Sequence, residues 1–183
     1  MGFQGRSATA VLCLSILLVG SIQACVVEQL QNLSGLLVVS QALQAAELAG
    51  ALETPTTSVT LLAPSDVAFQ KFLLEADLTP SELFNNTELL TTLLSAHTLP
   101  GLIPGSDLVT GATWESLEPG VNVTAQIPAY PNVVASGSYL TSGYGPPARI
   151  IAVHNPSDCE SIIYVLDQVL LSPTLTTELS IRE

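Results

Sequence analysis

The sequence predicts an α+β domain, with most of its helices in the first half and most of its strands in the second. Apolar residues recur every three or four positions from Leu36 to Ala46, which is the spacing of a helix that packs by one face. From Val121 to Ile127 apolar residues alternate with polar ones, as in a half-buried strand. With 183 residues, of which 48% are hydrophobic, the chain can enclose one sizeable core, so we expect one domain.

The charge of the chain excludes two classes of partner. The formal net charge is -12, with 16 acidic residues against 4 basic ones. Binding to nucleic acid or to an anionic membrane requires clustered cations. The cations here are scattered along the sequence, at Arg6, Lys71, Arg149 and Arg182. We therefore expect no nucleic acid partner and no anionic membrane surface, and we interpret the acidity as a source of solubility.

Residues 1–24 have the pattern of a signal peptide. Arg6 precedes an uncharged run whose most apolar part, Ala10–Val19, has the length of a signal-peptide core. Small residues near Ala24 suit cleavage, which predicts a mature domain over residues 25–173 and a short polar tail over 174–183. Two alternatives stay open: the run is retained as a membrane anchor, or the residues before Cys25 form a lipoprotein box. Once a signal peptide is removed, we expect no membrane anchor.

Cysteine and asparagine positions agree with export. Cys13 lies in the segment that cleavage would remove, which leaves Cys25 and Cys159. Two cysteines in an exported chain predict a disulfide bridge. The alternative is two unpaired cysteines, in a cytosolic chain or in one whose Cys25 is lipidated. Asn-X-Ser/Thr sequons predict N-glycosylation at exposed positions, namely Asn32, Asn85 and Asn122.

The first half contains four candidate helices besides the one that follows the first strand. Val26–Gln31 predicts a short helix, and the periodic run of Leu36–Ala46 predicts a longer one that ends near Gly50. Thr79–Glu82 has the residue order of a capping box with proline in the first helical position, which starts a third. Thr87–Ala96 is the fourth, with paired leucines that favour burial.

The stretch Val59–Phe69, VTLLAPSDVAF, predicts a strand that runs directly into a helix. Val59–Ala63 is an apolar run typical of a buried strand, and Pro64 ends it because proline has no ladder donor. Ser65 can cap the helix that follows. Asp66 places a negative charge in the first turn, where the helix dipole favours it.

Beyond Leu102 the pattern becomes strand-like. The candidate strands are Trp114–Leu117, Val121–Ile127, Val133–Ala135, Ala148–Val153 and the apolar start of Ile162–Pro173. Glu118-Pro119-Gly120 has the order of a type II turn. Gly137–Pro147 reads as an irregular loop.

Three stretches resemble the signatures of fasciclin-like domains, in the same order along the chain. The first is Val59–Phe69, a strand that enters a helix through a Pro-Ser/Thr-Asn/Asp turn. The second is Leu93–Gly101, LLSAHTLPG, which has the histidine and Pro-Gly of the family but Ala96 where a tyrosine is common. The third is Ile162–Pro173, IIYVLDQVLLSP, which resembles the closing apolar strand. The matching signature residues are Thr60, Pro64, Phe69, Pro100, Gly101, Tyr164 and Asp167.

The resemblance implies a fold and a hydrogen-bond network. The fold is a twisted β-sheet wedge or sandwich with a bundle of short helices packed on one side and edge. In the family the histidine bonds back to the Asn or Asp after the first strand, which here is Asp66. The resemblance therefore implies a bond between His97 and Asp66, and Ser65, Asp66 and His97 are expected to form one structural network. Tyr164 stands where the family often has histidine. Cys159 resembles the cysteine before the last strand in the plant and algal branch.

The residues give little sign of catalysis or cofactor binding. The sequence contains no G-x-S-x-G elbow, H-E-x-x-H, C-x-x-C, P-loop or dinucleotide-binding glycine turn. The sharpest enzymatic alternative is an acyl-transfer triad of Ser65 or Ser95 with His97 and Asp66, but a structural role explains the same residues. A metal site is disfavoured because His97 and His154 are the only histidines. We expect no cofactor, no metal and no enzymatic activity.

The resemblance also implies a function. Fasciclin-like modules are non-catalytic extracellular domains used in cell adhesion or attached to matrix and cell-wall polymers. The expected partners are extracellular proteins or glycans, or a second copy of the module. Two alternatives stay open. One is a carrier of small apolar ligands, which requires an internal pocket, and the other is a structural component of a glycosylated coat.

Overall fold

The computed structural model describes residues 25–46, 58–127, 137–156 and 160–180. The expected signal peptide, the helix end near Gly50, the Val133–Ala135 strand and the predicted partner cysteine Cys159 lie outside these ranges.

Short helices dominate the first half of the described chain, as the residue spacing predicts. Their bounds are α1 Cys25–Asn32, α2 Leu37–Ala45, α3 Asp66–Glu75, α4 Pro80–Asn85, α5 Thr87–Ala96 and α6 Pro173–Ser180. The predicted capping box begins α4: the Thr79 hydroxyl accepts from the Glu82 N–H at 3.3 Å, and the Glu82 carboxylate accepts from the Thr79 N–H at 2.8 Å. Asn86 caps α5 by accepting from the Leu89 N–H at 3.1 Å.

Seven strands form one mixed sheet. They are β1 Val59–Pro64, β2 Thr98–Pro100, β3 Thr113–Glu115, β4 Asn122–Gln126, β5 Tyr139–Thr141, β6 Ala148–His154 and β7 Ser161–Leu166. Their order is β2-β1-β7-β6-β5-β4-β3. The central strands β1 and β7 are parallel, with Val59 opposite Ser161 and Pro64 opposite Leu166, while the other pairs are antiparallel.

The sheet curls until its two edges meet. The Leu117 N–H, just after β3, donates to the Thr98 carbonyl of β2 at 2.9 Å. The Glu118 N–H donates to the Ser95 carbonyl at the end of α5 at 3.3 Å. The segment after β3 is therefore joined to β2 and to the end of α5, which brings the two edges of the sheet together.

The central strands separate two apolar cores. All six residues of β1 and all six of β7 are buried, as expected for strands covered on both faces. Successive side chains point to opposite faces, so Leu61 and Ile163 pack against the helices. Leu62 and Tyr164 point the other way, into the core that the curled strands enclose.

Four segments differ from their predicted form. The stretch predicted as the irregular loop Gly137–Pro147 contains β5, and the strand β2 was not predicted. Each of these strands has three residues, which gives an alternating pattern little room to appear. β3 begins one residue before, and ends two residues before, the predicted Trp114–Leu117 strand. The predicted polar tail forms α6 over Pro173–Ser180, and its Leu175 is fully buried among the helices.

The predicted type II turn after β3 is present. Gly120 has a φ of 79°, a conformation that glycine adopts without strain, and the Val121 N–H donates to the Glu118 carbonyl at 3.1 Å. Asn122 then faces outward from β4, as the alternation predicts. None of the helices in the described ranges has the length and hydropathy needed to span a membrane.

Candidate functional site

The junction between β1 and α3 joins four parts of the domain. Ser65 caps α3, because its hydroxyl accepts from the Ala68 N–H at 3.2 Å. The Ser65 N–H donates to the Leu166 carbonyl at 2.9 Å, which fixes the end of β7 beside the end of β1. The Asp66 N–H donates to the Gly35 carbonyl at 2.8 Å and so holds the turn between α1 and α2.

Asp66 acts at two helix starts. Its own helix, α3, has the carboxylate in the first turn, as predicted. The start of α2 lacks a side-chain cap from its own segment, since Leu36 occupies the capping position. The Asp66 carboxylate fills this role from a distance by accepting from the Val38 N–H at 2.8 Å. A single carboxylate therefore fixes α2 relative to α3.

His97 lies at the end of α5 and is completely buried. The Leu170 N–H donates to its Nε2 at 2.9 Å. Since Nε2 is an acceptor, the ring proton of the neutral imidazole is on Nδ1, which donates to the Leu93 carbonyl at 2.7 Å. His97 therefore fixes the segment after β7 to the last turn of α5.

The predicted bond between His97 and Asp66 is wrong. Both ring nitrogens of His97 have backbone partners, and the Asp66 carboxylate accepts from Val38. Ser65, Asp66 and His97 all make structural hydrogen bonds, but the bonds belong to separate contacts. The physical reason is that α5 presents the imidazole to the Leu170 segment, whose buried N–H needs an acceptor.

Burial also sets the charge state of His97. Removal from water lowers its pKa from 6.5 to about 4, although the bond to the Leu93 carbonyl acts in the opposite direction. The ring is therefore neutral at physiological pH. Protonation would place a second N–H against the Leu170 N–H and leave two donors facing each other.

Thr60 and Tyr164 hold the loop that follows β2. The Thr60 hydroxyl donates to the Gly101 carbonyl at 2.8 Å and accepts from the Ile103 N–H at 2.9 Å. The Tyr164 hydroxyl donates to the Ile103 carbonyl at 2.8 Å, from a side chain with no exposed surface. Burial, with a smaller contribution from the charge of Asp107, raises the pKa of Tyr164 to about 12. The phenol therefore remains a neutral hydrogen-bond donor.

The remaining signature residues also have structural positions. Phe69 is fully buried in the helical core. Pro100 ends β2, and Gly101 follows it with a φ of 84°, which favours glycine. Asp167 follows β7 and accepts from the Arg149 N–H at 2.7 Å, while its second oxygen lies 3.4 Å from the Arg149 Nε.

The comparisons with known proteins agree with this architecture. The family model described as Fasciclin domain matches residues 34–172, which is more than half of the chain. The chain belongs to the fasciclin domain family. A solved structure of a FAS1 domain pair from the insect cell adhesion molecule Fasciclin I matches with a TM-score of 0.62 and 16% sequence identity. The match covers 81% of this chain and 51% of that one, so this chain spans about half the length of the insect structure. No curated protein sequence matches.

The three signatures predicted a fasciclin domain with an α+β fold. Both predictions are confirmed by the family match and by the helices packed against a nearly closed mixed sheet.

In this fasciclin domain the residues considered for an acyl-transfer triad lie in different environments. Ser65 is occupied as a helix cap, and both nitrogens of His97 are occupied by backbone groups. Ser95 is partly exposed, but the His97 ring is buried and has no free nitrogen to serve as its base.

The structure also bears on metal binding and on the predicted modification sites. Among the described residues, no group of three or more His, Cys, Asp or Glu side chains could hold a metal ion. All three sequon asparagines, Asn32, Asn85 and Asn122, are exposed. The disulfide prediction depends on Cys159, which lies outside the described residues.

Two surface features of the fasciclin domain were missed by reasoning from the sequence. The first is an exposed apolar surface on α2 and α3, formed by Leu37, Val67 and Leu74. The sequence contained an indication of this surface, because Val67 and Leu74 are seven residues apart and therefore share one face of the helix. The second is a row of polar side chains across the outer face of the sheet. It was not predictable because its central strand, β5, was not recognised.

Proposed function

We propose that this fasciclin domain is a secreted, non-catalytic module that acts in cell adhesion by surface contact with an extracellular protein. Within the domain, the groups with catalytic potential serve structural roles. His97 and Asp66 each fix the relative position of two backbone segments, and Ser65 caps a helix. These assignments favour a binding function over a catalytic one.

The exposed apolar surface on α2 and α3 is the observation that carries the proposal. Leu74 is 84% exposed, Val67 72% and Leu37 56%, although large aliphatic side chains gain from burial. The bonds of Asp66 to Val38 and Gly35 hold the start of α2 beside the start of α3, so the backbone at Leu37 lies near the backbone at Val67.

Exposed apolar side chains grouped in this way mark protein contact sites, whereas scattered ones are ordinary. The opposite face of α3 buries Ala68, Phe69 and Phe72, which fixes the orientation of the helix. Val67 and Leu74 are therefore held outward by the fold, and a partner that covers them would gain the hydrophobic free energy that the isolated domain forgoes.

A cell-attachment assay tests this function. The mature protein is coated on a surface, and the attachment of cells from its source is compared with that of a Val67→Ser, Leu74→Ser double variant. Removal of a central apolar pair should lower attachment by about tenfold or more. Val109→Ser is the matched control, because Val109 is 55% exposed on another part of the surface. Equal attachment by the double variant, or none by the native protein, would contradict the proposal.

Export, glycosylation and the disulfide belong to the same proposal. The exposure of the three sequon asparagines supports glycan attachment, since the transferase must reach the side chain. The mass of the protein from its native source, before and after deglycosylation and reduction, tests all three. The expected chain begins at Cys25, carries glycans and lacks two hydrogens because Cys25 is joined to Cys159. An unmodified, reduced chain with residues 1–24 intact would overturn this part of the proposal.

A further inference from the structure

Four polar side chains form a row across the outer face of the sheet, here called the polar row: Gln126, Tyr139, Arg149 and Asp167. Gln126 pairs with Tyr139 between β4 and β5, and Tyr139 pairs with Arg149 between β5 and β6. Directly opposed residues project from the same face, with their Cβ atoms about 5 Å apart. Asp167, at the end of β7, extends the row by its bonds to Arg149. Three strand spacings make the row about 14 Å long.

The polar row is open to solvent. Tyr139 is 36% exposed, and the side chains of Arg149 and Asp167 are 51% and 35% exposed. Gln126 is exposed at the other end of the row. The buried neighbours Ala125, Leu140 and Ile150 face the enclosed core instead, so the strand alternation fixes which side chains face outward.

The chemistry of the polar row suits a polyhydroxylated ligand. Gln126, Arg149 and Asp167 supply amide, guanidinium and carboxylate groups, which can hydrogen-bond adjacent hydroxyls in pairs. Tyr139 adds an aromatic ring between them, against which the C–H face of a sugar ring can pack. The row contains one aromatic and no aliphatic side chain, whereas the centre of a typical protein interface is apolar.

A parallel row of hydroxyls widens this surface. Thr113, Thr124 and Thr141 are paired in register across β3, β4 and β5. The hydroxyls of Thr113 and Thr124 lie 3.0 Å apart on the exposed face. Because strand neighbours on one face are two residues apart, the threonine row lies about 7 Å from the polar row.

The charge near the polar row differs from that of the whole molecule. Arg149 lies beside Asp167, so this pair contributes no net charge, although the chain carries a net charge of -12. Lys71, the other lysine or arginine among the described residues, donates to Gln168 at 2.9 Å, next to Asp167. Both cations thus flank one turn. An uncharged polymer meets no repulsion here, while a polyanion would be repelled by the molecule as a whole.

The geometry points to the polar row as a binding surface for a neutral polysaccharide. The length of the row, its paired hydrogen-bonding groups and its single aromatic ring fit an extended sugar chain. The polar row shares no residue with the apolar surface proposed for a protein partner, so one domain could join a protein to a polymer. The inference rests on the proposed extracellular location, where such polymers occur.

Affinity electrophoresis of the purified, deglycosylated mature protein tests the inference. Native gels contain a soluble β-glucan, a galactomannan or a xyloglucan as neutral probes, with polygalacturonate as the acidic comparison. Deglycosylation is needed because Asn122 shares β4 with Gln126. We expect at least one neutral probe to retard the native protein. Tyr139→Ala should weaken that binding by about tenfold and Gln126→Ala by about threefold.

The matched control is Tyr144→Ala, since Tyr144 is 46% exposed but lies outside the polar row. It should leave the retardation unchanged. Thermal unfolding verifies that each variant is folded. If Tyr139→Ala does not fold, the Gln126→Ala variant, which changes an exposed side chain, still tests the inference. The inference fails if no neutral probe retards the protein, if the row variants bind as the native protein does, or if polygalacturonate alone binds in a salt-sensitive way. None of these outcomes affects the cell-attachment result, so the two proposals can fail separately.

Discussion

Lowering the pH should destabilise the domain through the one buried histidine, His97. Its pKa is about 4 in the folded protein and 6.5 as the ordinary value. The folded-state pKa is the lower one, so the unfolded chain binds more protons between these values and stability falls as the pH falls. The contribution of neutral His97 to the free energy of unfolding is fully present above the unfolded-state pKa. It declines as the pH falls from there towards about 4.

The magnitude follows from the two pKa values. Between about pH 7.5 and pH 5, preferential protonation of the unfolded chain should cost about 2 kcal/mol of unfolding free energy. The structural cause is that the neutral ring accepts from the Leu170 N–H and donates to the Leu93 carbonyl, and a protonated ring cannot accept. This range stays above the ordinary pKa values of aspartate and glutamate, at about 4, so carboxylates contribute little.

Urea unfolding at several pH values within this range measures the effect. His97→Gln removes the titrating group and should abolish most of the pH dependence, while His154→Gln, at a half-buried position on β6, should retain it. If His97→Gln does not fold, NMR titration of the His97 ring in the native protein replaces it, with no protonation expected above about pH 5. A stability that is flat with pH in the native protein, or equally steep in His97→Gln, would refute the reasoning.

Two further predictions concern the structural contacts. Asp66→Ala should lower the unfolding free energy by about 1–2 kcal/mol, because α2 loses the acceptor for the Val38 N–H, and Asp66→Asn should lose less because an amide oxygen can still accept. Urea unfolding compares them, and equal stability of Asp66→Ala and the native protein would exclude the capping role. Tyr164→Phe should cost about 1–3 kcal/mol, because the buried Ile103 carbonyl loses its donor. Tyr144→Phe, at an exposed position, should leave the thermal midpoint unchanged, and an equally small effect of Tyr164→Phe would show that its hydroxyl is dispensable.

Local structure was largely readable from the sequence. Ser65 and the Thr79–Glu82 box predicted helix starts because capping joins residues three apart, which the chain keeps close whatever the tertiary fold. The alternation from Val121 to Ile127 likewise predicted the outward position of Asn122. The polar tail was the exception: α6 packs Leu175 among the other helices, and short helices depend on such tertiary packing.

The candidate site was predictable only in part. The sequence indicated that His97 is a buried structural residue, but its acceptor role depends on a backbone N–H that lies 73 residues away. Every residue except proline carries such a donor, so the sequence pattern does not distinguish Leu170 from its neighbours. The partner predicted instead, Asp66, has the right chemistry but caps α2.

By itself, the sequence determined the family, the α+β class, the central buried strand and the helix caps, because these depend on residues within a few positions of one another. The tertiary structure decided the partners of His97, the distant cap provided by Asp66, and the surfaces left exposed on α3 and across β4 to β6. These depend on which segments the curled sheet brings together, and that choice is made by the packing of the whole core.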